Sequence, residues 1–307
     1  MNREKGLVSV IIPSYNYGCF ITETIKSLQA QSYTNWEAII VDDCSLDNTQ
    51  SIVEILITQE SRLFYEKHTV NKGLPATRNT GLRKAKGEFI LFLDADDVIS
   101  PKKLKLHIEH FTQNCKIDIS YSNYFFFRDG HINDRYFTRM LNHEEGLRPS
   151  EGGREILFPI FLRDNMIAVL APLVKASLVE EVGYFNEELR QKEDWDFWMR
   201  CVLKEASFAY LDNPDAYGLI RVHGGSLLDN KKEALSYSDE FYTSLGDLLL
   251  QNSSLYCSEL KQYESFMKKR MIREFVKKSL KMMGLMSFAR KVYKKVNIFK
   301  LKIVSSR

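Results

Sequence analysis

A mostly parallel α/β sheet with helices on both faces is what this 307-residue sequence predicts. Three observations point there. Short β-branched apolar runs alternate with stretches whose apolar residues fall at helical spacing, the rhythm of strand–helix–strand units. The first, second and fourth of these runs are mainly apolar, short and β-branched or aromatic, as buried strands with both faces covered are. Several end on polar clusters, and in such sheets ligands bind outside the carboxyl ends of the strands.

Residues 7–12 (LVSVII) read as the first buried strand, stopped at Pro13. Ile21, Ile25 and Leu28 then share one helix face. Residues 36–43 (WEAIIVDD) form a second strand, and Asp47 is placed to cap the helix that follows. A third strand is expected at 62–68, then a helix over 74–87 closed by Gly87. Residues 88–97 (EFILFLDADD) run from a fourth strand straight into aspartates. Ser100 as N-cap and Pro101 at the first position open the next helix, continued by Leu104, Ile108 and Phe111. Beyond about residue 115 the pattern loosens, with IDISYSNYFFF, a polar loop over 128–153 and an apolar run at 166–174. Residues 177–189 read as a short helix, Gly183 and a turn. Residues 191–206 are helical, with Trp195, Trp198 and Val202 toward a core. The expected division is a domain of residues 1–230 and a helical, basic extension of residues 231–307.

Net charge is only +3, but it is unevenly spread. Residues 261–307 hold 15 of the 43 Lys and Arg and two of the 40 Asp and Glu, a net of +13, so residues 1–260 carry −10. Within that tail Phe266, Met267, Met271, Phe275, Val276, Leu280 and Met283 trace one helix face, and a second basic, apolar block covers 288–304. Basic amphipathic helices lie on anionic membranes; a helix packed on the main domain with a solvated lysine face is the competing reading. Nucleic acid is not an expected partner, because no DNA- or RNA-binding motif accompanies the charge. Cys19, Cys44, Cys115, Cys201 and Cys257 are scattered without a CxxC, the usage of a cytosolic protein. The sequence shows no signal peptide and no apolar run near the roughly 18–20 residues of a spanning helix. The expected location is cytoplasmic, peripheral on the inner face of the plasma membrane.

Asp94, Asp96 and Asp97 pose a chemical problem, since neighbouring carboxylates repel and burial favours their neutral form. A divalent cation resolves it. Oxygen ligands suit Mg²⁺ or Mn²⁺, and magnesium commonly takes one or two carboxylates together with substrate phosphates. The bland alternative is a strand that ends in solvated acids.

The segments VSVIIPSYN, IIVDDCSLDNT, NKGLPATRNTGLRKAKGEFILFLDADD, EDWDFWMR and RVHGGS follow in this order. Together they resemble the family 2 glycosyltransferases of the GT-A fold, over residues 7–226. The resemblance implies a Rossmann-like sheet and inverting transfer of a sugar from a nucleotide-diphosphate donor, a UDP-sugar, to an acceptor hydroxyl with Mg²⁺ or Mn²⁺. By analogy the acceptor is a lipid-linked or surface-polysaccharide glycan. Pro13, Tyr15 and Asn16 would line the nucleotide, with Tyr15 stacked on the base. Asp43 would accept the base's imino N–H, with Asp42 beside it. Arg78 and Asn79 match a loop near the donor, although Arg78 reads equally well as the ion-pair partner of a strand-end aspartate. Asp94-Ala95-Asp96 match the DxD motif, Asp96 as metal ligand and Asp94 on ribose or metal, with Asp97 an exposed extra. Asp194 would be the general base. Glu193 would support it or touch the acceptor, and Asp196 would be a helix N-terminal charge pointing away. His223 would sit near metal and diphosphate, with Gly224, Gly225 and Ser226 folding over them.

Two rivals remain. A sugar-nucleotide pyrophosphorylase shares the architecture but wants a Gly-rich basic loop after the first strand, where residues 13–20 (PSYNYGCF) have one glycine and no Lys or Arg. A non-catalytic sugar-nucleotide binder would have no use for both the DxD and the Glu-Asp pair.

Overall fold

The computed structural model describes residues 3–138, 150–224 and 231–282. The chain divides into two compact units, residues 1–247 and 248–307, so the first runs past the expected limit of 230.

Strand β1 (Glu4–Ser14) outlasts its expected end at residue 12. Its pairing with the fourth strand stops at Ile11, which leaves room beyond for Pro13, a residue that cannot donate. Helix α1 (Gly18–Gln29) buries Ile21, Ile25 and Leu28, as its spacing predicts. Strand β2 (Trp36–Asp42) is buried throughout and leads to α2 (Thr49–Gln59). Asn48, not Asp47, occupies the N-cap position of α2. The Asp47 carboxylate nevertheless accepts the Thr49 and Gly18 N–H groups, each at 3.0 Å, and so ties together the starts of α2 and α1. Those starts approach so closely that a Cβ on Gly18 would lie 2.4 Å from Asn48 Oδ1.

Strand β3 (Leu63–Lys67) and helix α3 (Leu74–Lys84) follow. Gly87 does not close α3; it is the first residue of β4 (Gly87–Phe92). A side chain there would meet the backbone of β1, with Leu7 O only 2.5 Å from a Cβ. Ser100 does not cap a helix either. Its hydroxyl donates to Asp215 O, the chain forms a two-residue strand β5 (Val98–Ile99), and α4 (Lys103–Gln113) starts later than expected. Leu104 and Phe111 are buried on the predicted face.

The loosely patterned middle resolves into β6 (Ile119–Tyr121), β7 (Asn123–Arg128), α5 (Arg154–Phe161), β8 (Pro172–Lys175) and α6 (Ala176–Val182). Gly183 (φ +88°) turns the chain after α6. Helix α7 (Glu193–Leu203) buries Trp195, Trp198 and Val202, and β9 (Phe208–Tyr210), β10 (Tyr217–Val222) and α8 (Lys231–Gln251) follow.

Among the described residues the main sheet has the order β3-β2-β1-β4-β8-β6-β9, and only β8 runs against the rest. The mostly parallel sheet is therefore present. A second sheet, β5-β10-β7, was not legible in the sequence. Nor was a buried polar cluster beneath β6, where Lys103 Nζ donates to Ala171 O (2.7 Å) and Ser122 Oγ (2.9 Å) beside His107. Burial pushes the Lys103 ammonium down to about 7.

In the second unit, α9 (Cys257–Met282) exposes Met271, Ile272, Phe275 and Val276. The Leu280 and Met283 side chains and the block at 288–304 lie outside the described residues. None of the described helices is long and apolar enough to cross a membrane, and all five cysteines are free.

Candidate active site

The parallel ladder brings distant segments to one edge. Ser14 pairs in register with Asp42 at the ends of β1 and β2, and β4 ends two residues before Asp94. Three of the four non-glycine residues with positive φ among those described lie in turns at this edge: Asn16 (58°), Cys44 (67°) and Lys192 (67°). Left-handed backbone costs energy for residues with a side chain, so its concentration here points to a functional edge.

Asp42 is fully buried and its carboxylate is taken by the turn, accepting Ser45 N–H and Tyr65 O–H at 2.7 Å each. Asp43 is also buried. Its Oδ1 accepts from His68 Nδ1 (2.7 Å) and Lys72 N–H (2.8 Å), and its Oδ2 from Gly73 N–H (2.8 Å). A carboxylate has about four acceptor positions, so one on Oδ2 is left for a base N–H. Asn16 fixes the facing turn, its amide oxygen accepting Leu46 N–H at 2.8 Å, while the neighbouring Tyr15 ring is exposed. Asn79 clamps the chain after α6: its amide donates to Phe185 O and Glu187 and accepts Phe185 N–H.

The β4 aspartates form a tight turn closed by Asp97 N–H on Asp94 O. Ala95 is buried in it, and its carbonyl accepts the Thr24 hydroxyl. Asp97 is not exposed. It is buried and accepts the Arg221 N–H at 3.0 Å, because β10 returns across the turn. Burial, followed by the charges of Asp96 and Asp94, holds its carboxyl well above the usual range. Asp96 is raised too, by burial and then Asp94, against the opposing pull of His223. His223 Nε2 lies 3.0 Å from Asp96 Oδ2. Tyr17, not singled out in the sequence, packs edge-on to His223; burial and the three aspartates raise its phenol. Gly225 and Ser226 lie outside the described residues.

Arg78 makes the ion pair with a strand-end aspartate. It is 1% exposed and bridges two groups, donating to Asp94 Oδ1 (2.8 Å) and to Glu193 Oε1 (2.5 Å). The strand-end turn and the first turn of α7 thus share one guanidinium. Left-handed Lys192 aims the chain into α7, so that Asp194 sits at the helix N-terminus. Asp194 Oδ1 accepts Trp195 N–H (2.7 Å) and Oδ2 accepts Asn165 Nδ2–H (2.9 Å). Burial raises the Asp194 carboxyl, and Arg78 opposes the rise. Asp196 is more than a helix-end charge. It is buried and paired with Arg200 at 2.8 Å, whose guanidinium also donates to Val182, Gly183 and Tyr184 carbonyls.

The donor set around Asp94 and Asp96 fits a hard divalent cation, being oxygen-rich and crowded with like charge. Among the described residues no three His, Cys, Asp or Glu side chains converge as a complete metal site. Ser14 Oγ and Arg78 Nε are buried at this edge with no hydrogen-bond partner, capacity a bound ligand can meet.

A mostly parallel sheet with these acids beyond β4 and helices on both faces defines a GT-A glycosyltransferase. The glycosyl transferase family 2 profile matches residues 9–164, and the chain belongs to that family. The Escherichia coli UDP-Glc:alpha-D-GlcNAc-diphosphoundecaprenol beta-1,3-glucosyltransferase WfaP is 31% identical over 240 residues, 78% of this chain and 87% of that protein. The Staphylococcus aureus TarS 1–349 structure in complex with UDP-GlcNAc covers 84% of this chain and 73% of its own, with TM-score 0.62 and 22% identity. The mannosyltransferase PcManGT from Pyrobaculum calidifontis, in complex with GDP-Man and Mn²⁺, covers the same shares with TM-score 0.57 and 17% identity. Both structures share the fold. The profile match ends before α7 and β10, so Glu193, Asp194 and His223 lie beyond it.

Proposed function

We propose that this glycosyltransferase moves a sugar from a UDP-sugar to a hydroxyl of a lipid-linked or surface-polysaccharide glycan, with inversion and with Asp194 as the general base. One observation carries the reading: Arg78 is hydrogen-bonded to both Asp94 and Glu193, which puts the donor-side acids next to the Glu-Asp pair. The donor and acceptor in the E. coli relative's name and the UDP-GlcNAc bound to TarS support the substrate classes.

In this reading Tyr15 offers its exposed ring to the base, and the free acceptor position of Asp43 takes a base N–H. The acceptor oxygen bonds to the anomeric carbon opposite the diphosphate while its proton passes to Asp194. The bond from that carbon to the phosphate oxygen breaks, and its electron pair leaves on the nucleoside diphosphate. A carboxyl raised by burial is a better base near neutral pH than an ordinary aspartate. Asp94 and Asp96 would hold Mg²⁺ or Mn²⁺ with His223 beside them; the cation's chemistry is to neutralise the leaving diphosphate. The Mn²⁺ bound with PcManGT supports that assignment. The basic tail with the exposed apolar residues of α9 would keep the enzyme on an anionic membrane, where a lipid-linked acceptor resides.

A panel of UDP- and GDP-sugars incubated with the purified protein, read by released nucleotide with Mn²⁺ or with EDTA, tests this. A UDP-sugar should be turned over with Mn²⁺ only, and Asp96→Ala should abolish turnover without unfolding the chain. Undiminished turnover in EDTA would refute the metal assignment.

A further inference from the structure

The carboxylate proposed as the base is oriented by a residue that no motif contains. Asn165 lies in the turn after α5, 29 positions before Asp194, and donates Nδ2–H to Asp194 Oδ2 at 2.9 Å. Its amide cannot be turned round freely, because Oδ1 accepts the backbone N–H of Ile167 at 3.3 Å. The turn itself is anchored. The Trp195 indole N–H donates to Phe161 O at the end of α5 (2.7 Å), and the Tyr242 hydroxyl donates to Leu162 O (3.1 Å). Trp195 in turn stacks on Phe241, with ring centroids 4.3 Å apart at 17°. The residue that follows the base therefore fixes the loop that holds the base.

We propose that Asn165 is the positioning residue for Asp194: it selects the carboxylate rotamer that faces the acceptor and keeps the carboxylate ionised for proton abstraction. The inference rests on Asp194 being the base. With Trp195 N–H on Oδ1 and Asn165 on Oδ2, rotation about the terminal bond would break both contacts, and each oxygen keeps a lone pair for the incoming proton. Hydrogen bonds to a charged form favour it. The Trp195 N–H opposes the burial that raises the group, and a second donor on the other oxygen acts in the same sense. The charged and titratable groups around Asp194 are Arg78 from α3, Asp94 beyond β4, and Lys192 and Glu193 on its own segment. Tyr124 of β7, with Asp164 beside it, completes them. Asn165 is the neutral side chain that donates directly to one of the reacting oxygens, opposite the backbone N–H of Trp195 on the other.

The test uses the full chain with UDP-glucose and a GlcNAc-diphospho-lipid acceptor, followed as kcat and KM against pH. Asn165→Ala should lower kcat by about tenfold or more with little change in donor KM, and should move the acidic limb of kcat upward by about one pH unit. Asn165→Asp, which is isosteric but adds a like charge, should move it further in the same direction. Thermal melts and nucleotide affinity near wild type would show that both variants fold. If either folded variant keeps the wild-type kcat and pH profile, the positioning role is refuted. If Asp194→Asn transfers sugar normally, the parent reading of the base fails instead, and the two failures are told apart by that one control.

Discussion

Removing the guanidinium that joins the two halves of the site should cost the fold more than any other change at this edge. In Arg78→Met the side chain keeps much of its apolar volume but leaves Glu193 buried without its cation, and Asp94 without a partner. Breaking a buried pair from one side typically costs about 3–5 kcal/mol, because the remaining charge stays desolvated. The Asp94 side chain is 29% exposed and water can take over part of its solvation, whereas that of Glu193 is 8% exposed and cannot be rescued in this way. The lower end, about 3 kcal/mol, is therefore the expectation, worth roughly 6–12 °C in melting temperature for a unit of this size. The penalty should depend on pH. Without Arg78 the Glu193 carboxyl rises further above its unfolded value, so the folded state binds the extra proton. Stability is then retained in acid and lost as pH rises through the raised value. Urea unfolding followed by tryptophan fluorescence at pH 5 and pH 8 reads both effects. Arg78→Met as stable as wild type at pH 8, or a penalty no greater at pH 8 than at pH 5, would refute the buried bridge.

Lys103 gives the opposite pH sign. Its folded value is depressed to about 7, so the folded state binds fewer protons than the unfolded one and stability gains about 1.4 kcal/mol per pH unit between pH 7 and 9. Comparing wild type with Lys103→Met by urea melts should isolate that slope, and identical slopes would show that the ammonium is not desolvated. The basic tail should bind phosphatidylserine liposomes at low salt and release them as ionic strength rises, since surface attraction is screened. Truncation after Gln262 should abolish co-sedimentation while donor turnover persists, and a full-length chain indifferent to anionic lipid would make α9 a packing element.

The parallel half of the sheet was legible because its central strands are mainly apolar runs whose partners lie nearby in sequence. β2 is buried at every position, and its neighbours β1 and β3 lie within two helices of it. The β5-β10-β7 sheet was not, because it joins residues about 120 positions apart and its strands carry mixed burial. That same return of β10 buries Asp97, a fact the local sequence around the DxD could not contain. The misread Gly87 shows a related limit: a glycine after a helical stretch suits a C-cap, but here it is required by the close approach of β1. In the site, the motif residues come together at one edge, yet their partners did not announce themselves. Asn165 and His68 lie outside the quoted motifs, and Arg221, inside one, was not singled out; all three matter through what the fold sets opposite them.

The most direct test of single displacement by Asp194 is the anomeric configuration of the transferred sugar, read by proton NMR of the product from an α-linked UDP-sugar. A β-linked product is expected, with transfer reduced at least about 10²-fold in Asp194→Asn and nucleotide affinity unchanged. An α-linked product, or near wild-type transfer by Asp194→Asn, would contradict it.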